Sequence, residues 1–162
     1  GGRVVARFLG GGMSSDAGEL VAPDPTGSAA AMANALRDAG LDSAAIDYVN
    51  AHGTGTAAND KSEAAAMIEV FGDRASHVPV SSTKSMVGHA MGASGAIEAI
   101  ATLATLEHGV VPPTLGFLGP DPDIPLDPVA EGPRTMPVGL AMSNSFAFGG
   151  LNVSLVFGRT DA

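Results

Sequence analysis

Apolar and polar positions fall in blocks along the chain, and the period changes from block to block. Residues 3–13 alternate weakly, with Val4, Val5, Ala6, Phe8 and Leu9, and read as a strand; Gly10, Gly11 and Gly12 mark its end or a close backbone approach. Residues 14–25 are rich in Ser, Asp, Gly and Pro, a loop. Residues 27–39 turn helical, with Thr26 placed to cap, Gly40 to stop, and Ala30, Ala33, Leu36 and Ala39 as the apolar face. A helical turn at Asp42 and Ser43 precedes a strand at 46–51 and a loop, His52-Gly53-Thr54-Gly55-Thr56. The helix at 59–71 carries Asp60 and Glu63 near its positive end and stops at Gly72.

A strand follows at 78–82, with Pro79 near its start. Helical segments then run to about residue 107, with Ile97, Ile100, Leu103, Ala104 and Leu106 as core candidates and Gly109 as the stop. Residues 110–137, rich in proline and acid, read as a surface excursion anchored by Leu115, Phe117, Leu118, Ile124 and Leu126. A strand at 138–145, a turn at 146–150 and a strand at 151–157 close the chain; Leu151, Val153, Leu155 and Phe157 alternate in the last. The order β-α-β-α-β-α-β-β predicts an α/β sheet with helices packed on it, its last two strands forming an antiparallel edge.

Composition narrows the chemistry. The 162 residues suit one domain, and with no Trp and only Tyr48 the core must rest on Ala, Val, Leu, Ile and Met. A net charge of −9 argues against a nucleic-acid surface. Having no cysteine, the chain has no disulfide, no thiolate zinc site and no cysteine nucleophile. No apolar run is long enough for a bilayer, and Gly1-Gly2-Arg3 shows neither an initiator Met nor a signal-peptide pattern. The expectation is a soluble, cytoplasmic protein that is part of a longer or processed product.

Three stretches carry candidate chemistry. Ser81 to Gly95 holds Lys84 and His89 among small residues, and Lys61 is the chain's other lysine. Asn50-Ala51-His52-Gly53-Thr54-Gly55-Thr56 places a second histidine at a strand-to-helix junction, where parallel sheets site their ligands. Two neutral imidazoles converging there would polarise a carbonyl; His77 and His108 lack this context, and no third ligand completes a zinc site. Glu98 is placed to pair with Lys84, an arrangement better suited to orienting a histidine than to chemistry of its own. Ser143-Asn144-Ser145-Phe146-Ala147-Phe148-Gly149-Gly150 reads as a hairpin turn or as a mobile aromatic gate whose N–H groups can hold an oxyanion. Gly53-Thr54-Gly55-Thr56-Ala57-Ala58 also satisfies the dinucleotide fingerprint. Against that, Asp73 precedes the next strand instead of ending it, and a histidine stands directly before the first glycine.

Together these stretches resemble, in order and spacing, the β-ketoacyl-acyl carrier protein synthases, the condensing enzymes of fatty-acid and polyketide synthesis. Gly12-Met13-Ser14-Ser15-Asp16 and the segment from Met32 to Gly40 are similar to the elongating members. The resemblance covers this whole chain and the C-terminal half of a family member. It implies a thiolase-like fold, layered α-β-α-β-α with a mixed sheet, in which this single domain is incomplete without an N-terminal half carrying the cysteine.

Residue by residue, the resemblance implies that His52 and His89 bind the malonyl thioester carbonyl and stabilise the enolate formed on decarboxylation. Lys84 would organise His89, with Glu98 as its partner. Thr54 and Thr56 would hold the phosphopantetheine arm, and Phe148, within the Phe146 to Gly149 turn, would gate the site and lend its N–H to the oxyanion hole. The resemblance implies no bound cofactor and no metal in the reaction: the substrate rides on the phosphopantetheine of an acyl carrier protein. Asn50, Glu98 and Asn144 together are a candidate monovalent-cation site. Ala147 stands where glycine is common and Leu151 where threonine is usual.

The expected partners are the N-terminal half and the acyl carrier protein, with complete units pairing as dimers and no nucleic acid or membrane. Carrier proteins are acidic, so their docking patch would come mainly from the N-terminal half, assisted by Arg3, Arg7 or Arg134. The rival readings are a non-catalytic partner akin to chain-length factors, which usually depart from the histidine pair; a dinucleotide-binding domain; and an inert fragment.

Overall fold

Fifteen-residue helices and glycine stops alternate with strands, as the period changes require. In the computed structural model, which describes residues 1–18 and 23–160, the elements are β1 (Ala6–Ser15), α1 (Pro25–Ala39), β2 (Tyr48–Asn50), α2 (Ala57–Phe71), β3 (Pro79–Ser81), α3 (Lys84–Val87), α4 (Ser94–His108), β4 (Val110–Val111), β5 (Asp127–Pro128), β6 (Arg134–Thr135), β7 (Leu140–Ala147) and β8 (Leu151–Arg159). Short 3-10 turns occupy Ser43–Ala45, Gly72–Ser76 and Met91–Ala93. Of the loop expected at 14–25, residues 19–22 lie outside the described residues, as do 161 and 162.

The main sheet is mixed and has six strands in the order β1-β8-β7-β2-β3-β5. β7, β2, β3 and β5 run parallel, while β8 is antiparallel to both β7 and β1. The antiparallel hairpin expected at the chain's end is therefore present, but the sheet's outer edge there is β1. Successive strand residues divide between two cores. Val49, Val80, Met142 and Val156 meet α1 and α2 on one face. Tyr48, Ala141 and Phe157 meet Leu106 of α4 on the other.

Several expectations are corrected. The cap of α1 is Asp24, whose carboxylate accepts the Thr26 N–H at 2.8 Å, with Pro25 as the first helical residue in place of an N–H that would have no partner. Its buried face is Ser28, Ala31, Met32 and Ala35 with Leu36, whereas Ala30 is exposed and Ala33 and Ala39 half-buried. Helix and strand here meet through small residues. A Cβ on Gly10 would lie 2.5 Å from the Ala39 nitrogen, and one on Gly12 would overlap the Ala31 carbonyl. The three glycines thus do not end the strand; they let α1 lie on it. Asn34 and Asp38 of α1 then reach round the edge, Asn34 donating to the Met13 carbonyl and Asp38 accepting from the Gly11 N–H, both at 3.0 Å.

Of the core candidates on α4, Leu106 is buried as expected, but polar residues take most of the inner face. The helix buries Ser94, Glu98, Thr102 and Thr105 with Leu106; Ile97 and Leu103 are half-buried, Ala104 is exposed and Ile100 is 67% exposed. The polar face lies inward because Asn50 of β2 meets it, donating to the Glu98 carbonyl at 3.1 Å and the Thr102 hydroxyl at 3.3 Å. In β8 Phe157 is buried as expected, but so are Asn152 and Ser154, while Leu151 is exposed and Val153 and Leu155 half-buried.

The 110–137 excursion contains three short strands: β4 pairs with β6, and β5 joins the main sheet. Val111 and Val129 anchor it, Ile124 and Leu126 are half-buried, and Leu115, Phe117 and Leu118 are exposed. The turn between β7 and β8 is residues 148–150, since Phe146 and Ala147 still belong to the ladder. No helix among the described residues is long and apolar enough to cross a membrane.

Candidate active site

Parallel β2, β3 and β7 end at one edge of the sheet, and register sets Asn50 beside both Ser81 and Ser143. The chain leaves β2 into His52, β3 into Lys84 and β7 towards Phe148, so all three sequence motifs converge at this edge.

The His52 loop is fastened by its backbone. The Glu63 carboxylate of α2 accepts the N–H groups of His52 and Gly53, each at 2.9 Å, while the Ser82 hydroxyl donates to the Gly53 carbonyl at 2.6 Å. That last bond stitches one histidine segment to the other. His52 is 7% exposed, its ring 5.9 Å from that of Phe146. Burial first, then the positive fields of Lys84 and His89, push its pKa down to about 3, so the imidazole is neutral at pH 7. Its Nδ1 has no hydrogen-bond partner among the described residues.

His89 follows α3 and Gly88 on an exposed, non-helical segment. Its Nδ1 accepts the Met91 N–H at 3.2 Å and lies 3.0 Å from the Ser94 hydroxyl. An Nδ1 that accepts leaves the proton of the neutral ring on Nε2, which is then the donor. Met91 holds φ at 50°, a left-handed conformation uncommon outside glycine, and this aims its N–H at the ring. The two imidazoles meet edge-on, centroids 5.6 Å apart.

Lys84 and Glu98 form a buried ion pair linking α3 to α4, on either side of the segment that carries His89. Burial pushes the Glu98 carboxyl up, and the Lys84 ammonium and the Ser145 hydroxyl oppose this. Thr54 and Thr56 lie on the outer side of the loop with hydroxyls 2.9 Å apart, and Thr56 caps α2 by accepting the Asn59 N–H. Phe148 is 71% exposed on the 148–150 turn, with Gly149 at φ 80°, while Phe146 is buried against His52.

Asn144 is not beside Lys84 and Glu98. It lies on the α1/α2 face, donating to Glu63 at 3.2 Å and accepting from the Ser154 hydroxyl at 2.8 Å, whereas Asn50 faces α4. The three residues suggested for a cation are thus divided by the sheet. Arg7 pairs with Gly158 at the end of β1 away from the gate, Arg3 precedes it, and Arg134 is taken up by Asp127 at 2.5 and 2.9 Å. None of these arginines lies free at the mouth. The dinucleotide reading also fails on chemistry. The N–H groups of Gly53 and Gly55 are spent on Glu63 and Asp60, and two carboxylates at this loop would repel a pyrophosphate.

Glu63 was expected only as a charge near a helix end. Its signal was its place on the buried stripe of α2 with Asn59, Ala66 and Met67, a carboxylate where an apolar side chain is due.

Residues 5–118 match the family model described as Beta-ketoacyl synthase, C-terminal domain. The chain is 47% identical over 157 residues to nodulation protein E of Rhizobium meliloti, covering 97% of this chain and 39% of that protein. It is 45% identical over 159 residues to 3-oxoacyl-[acyl-carrier-protein] synthase 2 of Synechocystis, covering 97% of this chain and 38% of that one. The ishigamide ketosynthase/chain length factor structure superposes with a TM-score of 0.93 at 44% identity, over 97% of this chain and 38% of that chain. The chain belongs to the β-ketoacyl synthase family, as its C-terminal domain, and has the thiolase-like fold of ketosynthases. It spans about two fifths of the length of the curated relatives it matches.

Proposed function

We propose that this chain is the histidine-bearing part of a β-ketoacyl-acyl carrier protein synthase, working with an N-terminal half that brings the cysteine nucleophile. The observation that carries the reading is the pair of imidazoles at 5.6 Å, one held neutral and the other accepting at Nδ1, which leaves Nε2 as its donor. Malonyl carried on an acyl carrier protein would place its thioester oxygen against these donors. Loss of carbon dioxide moves the carbon–carbon bonding pair onto that carbonyl, giving an enolate. The negative charge is absent from the ground state, so the donors act on the transition state. The enolate carbon then attacks the acyl thioester on the partner half's cysteine; a carbon–carbon bond forms and the thiolate leaves.

The Lys84–Glu98 pair would set His89, Thr54 and Thr56 would line the pantetheine arm, and Phe148 with Gly149 would gate the acyl side. The outward apolar residues of α4 and β8, Ile100 and Leu151, fit a layer that the N-terminal half covers. A non-catalytic partner of the chain-length-factor kind would have no use for two converging donors. The test is to combine this chain with an N-terminal half, supply acyl and malonyl carrier proteins, and seek by mass a β-ketoacyl carrier protein two carbons longer. No product from a folded, assembled pair would overturn the reading.

A further inference from the structure

A side chain joins the two histidine segments. The backbone pairing of β2 with β3 runs out where the Ala51 N–H meets the Ser81 carbonyl at 2.9 Å. One residue further along, the Ser82 hydroxyl donates to the Gly53 carbonyl at 2.6 Å, beside the peptide that carries the His52 ring. The two backbones are in contact here. Gly53 holds φ at 38°, and a Cβ on it would lie 2.6 Å from the Ser82 Cβ.

Ser82, buried itself, is braced by the 110–137 excursion. The Val80 carbonyl of β3 accepts the Val129 N–H at 2.9 Å, the Val129 carbonyl accepts the Thr114 N–H at 2.7 Å, and the Thr114 hydroxyl accepts the Ser82 N–H at 3.0 Å. These bonds form a ring that leaves the chain at Val80 and returns to it at Ser82. On the other side the Ser82 carbonyl accepts the Ser85 hydroxyl at 2.8 Å, and Ser85 Oγ accepts the Leu115 N–H at 2.9 Å. The same carbonyl accepts the Ser85 N–H at 3.3 Å, at the start of the turn that leads through α3 to His89. The N–H and carbonyl of Ser82 are thus committed to holding it, and the hydroxyl to holding the His52 loop. Glu63 ties that loop to α2, whereas Ser82 ties it to the segment of the other histidine.

We propose that Ser82 is a positioning residue that sets the spacing of the two imidazoles, with residues 114–115 of the excursion as the brace it works against. This rests on the ketosynthase reading above. Two donors serve one carbonyl oxygen only when both lie within hydrogen-bond reach of it, so the distance between their segments decides whether they act together. Without the Ser82 hydroxyl the Gly53 carbonyl turns to solvent and the His52 loop draws away from the His89 segment. A misplacement of about 1 Å costs about 100-fold in rate.

The experiment uses the chain assembled with its N-terminal half and follows malonyl carrier decarboxylation, by carbon dioxide release, and acylation of the partner's cysteine, by mass. In Ser82→Ala, decarboxylation kcat should fall at least about tenfold, with KM for the malonyl carrier within about twofold and cysteine acylation retained. In a His52→Ala background the same change should alter the remaining rate by less than about twofold, because there is no longer a pair to space. Thr114→Val leaves Ser82 and both histidines in place and should reproduce the pattern with a smaller loss. A fall of less than about tenfold in Ser82→Ala would overturn the proposal. So would equal loss of both half-reactions, or the same loss in the His52→Ala background, since either assigns Ser82 to structure alone. Should Ser82→Ala not assemble, a wild-type decarboxylation rate in Thr114→Val overturns it. A wild-type assembly that performs neither half-reaction counts instead against the ketosynthase reading.

Discussion

The His52 ring meets the His89 ring edge-on, with centroids 5.6 Å apart and planes 84° apart. His52 follows β2 and His89 follows α3, and neither sits on a helix. Each is set by hydrogen bonds at its own segment: the backbone of 52–53 through Glu63, and Nδ1 of His89 through Met91. Donors fixed in this way need no rearrangement when charge develops on a bound oxygen.

Stability should depend on pH through His52. Its pKa lies at about 3 in the fold against 6.5 when free, so between those values the unfolded chain binds the extra proton. Stability is therefore full above about pH 6.5 and falls as the pH drops through the window, by about 2 kcal/mol from this group between pH 7 and pH 5. Denaturant titrations at the two pH values measure it, and His52→Gln should remove that share of the slope. An unchanged slope in the variant would show that the histidine is not held neutral.

The Lys84–Glu98 pair should behave as a buried pair. Its side chains are 5% and 2% exposed, so Lys84→Met alone strands a carboxylate and should cost about 3–5 kcal/mol. Joining it to Glu98→Leu should restore most of that loss, because no lone charge remains. Midpoints of denaturation for the two single variants and the double variant decide the matter; additive losses would mean that the ions are not coupled.

Ile100 reports on the layer that should cover α4. It is 67% exposed, and Met86, Val87 and Met91, which precede α4 in the chain, are exposed as well. Ile100→Glu should lower self-association of the isolated chain in sedimentation and weaken capture of the N-terminal half by at least about tenfold. Capture as tight as wild type would place the partner elsewhere.

Much of this was legible in the sequence, for identifiable reasons. Gly40 and Gly109 end their helices at φ 67° and 64°, as glycine after an apolar period implies. His52, Lys84 and His89 follow strands, and parallel topology brings strand ends together. What the period cannot tell is which face of an element is covered. In α4 and β8 Glu98, Thr102, Asn152 and Ser154 point in beside Leu106, Val156 and Phe157, while Ile100 and Leu151 point out, which hydrophobicity does not suggest for a domain read alone. Glu63 was hidden for a related reason: an acid near a helix start has a ready explanation in the helix dipole. β4, β5 and β6 are two residues each, too short for any alternation to show. In β1 the glycines look like a terminus because what they accommodate, the α1 backbone, is distant in sequence.

Whether His52 and His89 act together on a malonyl carbonyl is decided by the rate of malonyl carrier protein decarboxylation by this chain assembled with its N-terminal half, compared among wild type, His52→Ala, His89→Ala and the double variant. Each single change should lower the rate by about 100- to 1,000-fold, and the double should be little worse than either, as for groups that work as one unit. A correctly assembled His52→Ala or His89→Ala protein that decarboxylates at the wild-type rate would contradict their joint action.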